Sequence, residues 1–126
     1  MVRGVRNEQR QKRIDLGGVG LMSRIAELND QFRSTLTGGR VLMTAGVNAL
    51  PADTIARALT MVREFNAFTA DNDPHKEHDF GNFEIAGQKF FWKIDYYDKG
   101  LEYGSEDPAN ADITTRVLTI MLAEEY

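Results

Sequence analysis

A chain of 126 residues with 42% hydrophobic and 27% charged side chains suits one folded domain with its own core, which excludes wholesale disorder. It has no cysteine, so disulfides, thiolate nucleophiles and cysteine-bound zinc or iron–sulfur clusters are excluded as well. The net charge of −4 is unevenly spread: residues 1–15 carry five basic and two acidic side chains, whereas residues 71–112 carry eleven acidic and four basic ones.

Residues 1–20 read as a basic, flexible N-terminal tail closed by Gly17, Gly18 and Gly20, and residues 21–126 as a single α+β domain. No apolar signal core follows the N-terminal arginines, and no run approaches the ~20 apolar residues of a membrane span. A cytoplasmic chain without a membrane contact is the expectation. The Gly-Gly-Val-Gly string lacks the Gly-Lys-Ser/Thr ending of a phosphate loop and the spaced third glycine of a dinucleotide fingerprint.

A first helix is expected from a Ser23 cap, with Ile25, Leu28, Phe32 and Leu36 along one face and Gly38-Gly39 as its stop. Arg40 to Val47 is short, mostly apolar and bounded by glycines, the pattern of a buried strand. Leu50-Pro51-Ala52-Asp53 opens a second helix, since proline suits a first turn and an acid suits the helix dipole there. Its apolar stripe is Ile55, Leu59, Val62 and Phe65, with Arg57 and Arg63 on the wet side.

Thr69 to Pro74 is a loop. Phe80 to Ile85, an Ala86-Gly87 turn and Lys89 to Tyr97 then form an aromatic-rich hairpin. The two-residue period sends Phe90, Trp92, Ile94 and Tyr96 to the core and Phe91, Lys93, Asp95 and Tyr97 to the opposite face. A last helix is expected from Asp112 through Val117, Ile120, Met121 and Glu124, with a strand as the alternative that its β-branched residues allow. The expected order is α-β-α-β-β-α, a small antiparallel sheet with helices packed on one face.

Asp71, Asp73, His75, Glu77, His78 and Asp79 fall within nine positions. Imidazole and carboxylate bind divalent transition metals and serve as general acid and base. A metal-assisted hydrolase or nuclease using His75, His78 and Asp79 is therefore one reading. Its spacing matches neither the H-E-x-x-H of zinc peptidases nor a calcium loop, and capping, turn formation and solvated charge explain the same residues. The three serines lack a nucleophile elbow, and no acid stands two positions before Lys89 or Lys93 as a simple nuclease core requires.

The preferred reading, to which that one is the alternative, is a binding surface that needs no cofactor. Asp71, Asp73, Glu77, Asp79, Asp95, Asp98, Glu102, Glu106 and Asp107, with Phe91 and Tyr97, would offer carboxylates beside aromatic rings to a protein partner. The aromatic hairpin could in principle stack bases, but its surroundings are acidic and would repel phosphates, which leaves nucleic acid only the basic tail. Oligomeric state is not legible in the chain.

At E-H-D-F-G, F-F-W-K-I-D-Y-Y-D, Y-G-S-E-D-P and T-R-V-L-T-I-M-L-A-E-E-Y the sequence resembles an alphaproteobacterial family, domain of unknown function 3768, over about residues 25 to 126. The resemblance implies no activity, cofactor or catalytic residue. It does imply a setting on plasmids and other mobile elements, and with it an accessory role such as blocking a host defence system. The sequence thus leads to an accessory protein that binds another macromolecule through an acidic, aromatic surface.

Overall fold

A computed structural model describes residues 17–126, with side chains from Arg24 onward. Helix α1 spans Gly17–Thr35, strand β1 Arg40–Met43, the one-turn helix α2 Ala45–Asn48 and helix α3 Ala52–Glu64. Strands β2 (Phe80–Ile85), β3 (Gln88–Tyr97) and β4 (Thr115–Leu122) follow, and a 3-10 turn at Ala123–Glu125 ends the fold. The α+β class and the aromatic hairpin are as expected.

Four expectations are corrected. The segment after Asp112 is a strand, not a helix, and it lies inside the sheet, whose order is β1-β4-β3-β2. Flanked on both sides, β4 buries apolar residues on both faces: Leu118, Ile120 and Leu122 on one, Val117 and Met121 on the other. A strand buried on both faces shows no alternation, so periodicity alone does not separate it from a helix. The sheet is accordingly mixed, because β1 runs parallel to β4 while the other pairings are antiparallel. The expected strand from Arg40 to Val47 stops at Met43, and Val47 reaches the core from α2 instead. Helix α1 also begins earlier than a Ser23 cap, taking in Gly17, Gly18 and Gly20.

One sheet face carries the core. Phe83 and Ile85 of β2, Phe90, Trp92 and Ile94 of β3, and Leu118, Ile120 and Leu122 of β4 meet Phe32 of α1, Val47 of α2, and Ala58 and Val62 of α3. The hairpin turn has positive φ at both Ala86 and Gly87, the geometry whose twist matches antiparallel strands. Helix α1 closes on Leu36 (φ 56°), whose N–H donates to the Phe32 carbonyl, rather than on a glycine. Gly39 matters for space: a Cβ there would lie 2.5 Å from the Arg116 carbonyl oxygen and 2.9 Å from the Phe32 ring.

The chain's C-terminal end is tied back to α2. The Glu125 carboxylate accepts from the Thr44 hydroxyl and from the N–H groups of Gly46 and Leu122. These bonds, the Thr44 hydroxyl foremost, hold its pKa below the ordinary carboxylate range. A carboxyl with a depressed folded-state pKa stabilises the fold above its unfolded pKa, and that contribution fades as pH falls through the folded value. Glu125→Gln should therefore lower the urea midpoint at pH 7, and the gap to the wild type should shrink as pH falls below the usual glutamate range and through the lower folded-state value.

Candidate functional site

The sheet divides the residues proposed from sequence into two groups. The loop after α3 sits on the helical side, where it is held by an internal polar network. Asp73 is buried, and its Oδ1 accepts from the N–H groups of Glu77 and His78 at 3.0 and 3.2 Å. The His78 ring stacks on Phe68 with centroids 4.0 Å apart, and its Nδ1 faces both Asp30 oxygens at 3.0 Å. Asp30 in turn accepts from Arg33 Nη2 at 2.7 Å, while Arg33 Nη1 donates to the carbonyls of Val62 and Phe65.

The hub of this network is Asn29, fully buried on α1. Its Nδ2 donates to the Glu77 carbonyl and to the Tyr96 hydroxyl, both at 2.9 Å, and its Oδ1 accepts from Arg116 Nε at 2.6 Å. The Tyr96 hydroxyl donates onward to the Glu77 carboxylate at 2.9 Å. Burial first, and neighbouring carboxylates after it, push the Tyr96 phenol upward, so it stays a donor throughout the physiological range. Burial and the charge of Glu77 also raise Asp79.

A metal reading of this loop gains nothing from the geometry. His75 and Asp71 are exposed, His78 is committed to Asp30, and Asp79 lies by Tyr96. Among the described residues no three His, Asp or Glu side chains are placed to hold a metal ion. Asn29, Asp30, Arg33 and Arg116 were missed by the sequence reading. Asn29 and Arg33 continue the i, i+4 row from Ile25, and polar residues on such an apolar row were the available signal.

The second group lies on the opposite sheet face. There β3 presents Phe91, Lys93, Asp95 and Tyr97 opposite Met121, Thr119, Val117 and Thr115 of β4. No α-helix among the described residues contributes core residues to this face; Val117 and Met121 are buried on it all the same, while Leu42 of β1 is 51% exposed. At one end the Phe91 ring packs against Phe80 and Tyr126, with centroids 5.4 and 5.1 Å away, and Tyr126 remains 71% exposed. Lys93 and Asp95 pair at 3.0 Å in the middle.

At the other end, past Tyr97, the 98–112 loop carries five carboxylates against Lys99 alone. Six residues of extended strand, about 20 Å, separate Phe91 from that end. The loop is built rather than loose. Asp98 Oδ1 accepts from Glu102 N–H, Gly104 bridges Tyr97, and Arg116 Nη2 donates to the Pro108 carbonyl at 2.6 Å. Asp98 and Asp107 spend part of their capacity on such turns, while Glu102 and Glu106 are exposed and Tyr103 is 71% exposed. Phe91, Asp95 and Tyr97 thus share the outer face, and Asp98, Glu102, Glu106 and Asp107 follow in the loop at its Tyr97 end, part of which, at Pro108 and Ala111, reaches Arg116 and α1; Asp73, Glu77 and Asp79 are held in the network on the helical side. The basic segment 1–15 lies outside the described residues, and no helix among the described residues is long and apolar enough to cross a membrane.

A family model described as a protein of unknown function (DUF3768) matches residues 43–125. The match runs from the last residue of β1 through the 3-10 turn, so it takes in β2, β3, β4 and both loops and leaves out α1. No curated protein and no solved structure matches the chain.

Proposed function

We propose that this chain, which belongs to the DUF3768 family of proteins of unknown function, works by binding a protein partner across its uncovered sheet face. The observation that carries the reading is an outer sheet face with an aromatic end at Phe91 and Tyr126 whose strand β3 runs on, past Tyr97, into an acidic loop that also exposes Tyr103. Tyrosine is enriched among the residues that dominate binding energy, and a rim of one charge steers a partner of the other. The fitting partner places apolar side chains against Phe91, Leu42 and Tyr126 and a basic patch against Glu102 and Glu106. A nucleic acid would bring phosphates to those carboxylates and be repelled.

The specific form is a cytoplasmic accessory protein of mobile elements that occupies the nucleic-acid-binding surface of a host defence protein. What supports it is charge: the exposed carboxylates of Glu102 and Glu106 carry the sign of phosphates and would compete with them for a basic surface. In a test with the full chain and a partner captured from host lysate and then purified, Glu102→Lys with Glu106→Lys should weaken association at least tenfold at low salt. Both side chains are exposed and free of turn bonds, so the unfolding midpoint should stay unchanged. Equal affinity of variant and wild type would overturn the proposal, as would a chain that sediments as a dimer through this same face.

A further inference from the structure

Arg116 rises from β4 into the helical side of the fold and is only 5% exposed. Buried charges are ordinarily matched by an opposite charge, as Arg33 is by Asp30. Arg116 is matched differently. Its Nε donates to the Asn29 amide oxygen, its Nη2 to the Pro108 carbonyl, and its guanidinium lies 5.2 Å from the Tyr96 ring centroid. No carboxylate among the described residues pairs with it directly, and its Nη1 has no hydrogen-bond partner among them. An arginine keeps its charge under such conditions, so among the described residues this buried cation is met directly by dipoles, with the charge of the Glu77 carboxylate, held on Tyr96, also favouring it.

The same arginine lines a cleft of about 470 Å³ between the C-terminal half of α1, the Thr37-Gly38 turn and the Ala111–Thr114 segment. That volume lies within the roughly 300–1,000 Å³ of small-molecule sites. Leu28 and Phe32 provide its apolar wall and Gln31 its rim; the Gln31 side-chain amide is exposed and bonded to no described residue. An apolar wall, an uncommitted amide and a buried guanidinium with no directly paired carboxylate among the described residues are the parts of a site for a negatively charged ligand. We propose that this cleft binds a small organic oxyanion, a carboxylate or phosphate ester, with its charge on Arg116 and its apolar body against Leu28 and Phe32. The cleft lies on the helical side of the sheet, and its Ala111–Thr114 wall adjoins the 98–112 loop of the proposed protein-binding region.

The experiment is calorimetric titration of the full chain with benzoate, phenyl phosphate and benzyl alcohol. At least one of the two anions should bind at one site, and the neutral alcohol should bind at least tenfold more weakly. The tighter anion identifies which oxyanion the cleft takes. Gln31→Glu, an exposed rim change that leaves folding intact, should weaken the anion at least tenfold by placing a carboxylate beside it. Arg116→Lys, with folding verified by circular dichroism, should weaken it similarly by removing the planar fork. Failure of both anions to bind, equal binding of the alcohol, or an affinity unmoved by Gln31→Glu would overturn the proposal.

Discussion

Asn29→Ala should destabilise the protein by about 3 kcal/mol or more, a large share of the stability of a domain this size. The side chain is small, and little apolar area goes with it. What is lost is the one set of bonds among the described residues that joins α1, the loop before β2, the end of β3 and the start of β4 at one point. Removing it strands Arg116 Nε and an acceptor position on Tyr96 in a buried setting, and each unsatisfied group costs about 1–3 kcal/mol, more where charge is involved. Urea denaturation measures the loss. An effect below about 1 kcal/mol would show that water or a rearranged Glu77 takes over these bonds.

Trp92→Ala and Phe91→Ala, adjacent on β3, should separate folding from binding. Trp92 is fully buried, edge-on to Phe65 at 5.5 Å and to Phe68 at 6.2 Å, with the Arg33 guanidinium 5.1 Å from its ring. The space it fills exists because Gly81 stands across from it; a Cβ there would lie 2.5 Å from the indole nitrogen. Truncation should cost about 3–5 kcal/mol. Phe91 points to the uncovered face and is half-buried by Phe80 and Tyr126. Its truncation should cost about 1–2 kcal/mol of stability yet weaken partner binding at least tenfold. Equilibrium unfolding and titration with the purified partner check the two halves. A Phe91 variant that binds normally would exclude this ring as an anchor.

Much of this architecture was legible in local patterns. The strict alternation from Phe90 to Tyr97 separated the core face from the outer face before any coordinates, and Pro51 with Asp53 marked the start of α3. What local patterns could not carry was long-range pairing. Val117, Leu118, Ile120, Met121 and Leu122 are apolar on both faces because β4 has neighbours on both sides, a property of the sheet and not of the segment. The choice of helix for it hid the parallel partner of β1 and with it the mixed sheet.

The candidate surface was legible as composition and not as geometry. Nine carboxylates near two rings looked like one patch. Asp73 is instead the internal anchor of its own loop, and Glu77 is spent on Tyr96, because backbone N–H groups and a buried phenol needed acceptors there. Neither requirement can be seen without the partner segments α1 and β3. Glu102 and Glu106 remained outside because they had no such duty to perform.

The proposed division of the molecule is tested most directly by amide hydrogen exchange of the full chain, free and bound to its purified partner. Binding across the uncovered face predicts added protection in β1, in the outer part of the β2–β3 hairpin around Phe91, and in residues 98–112, with none gained in the 69–79 loop. Protection confined to the 69–79 loop and α1 would contradict it and move the site to the helical side of the sheet.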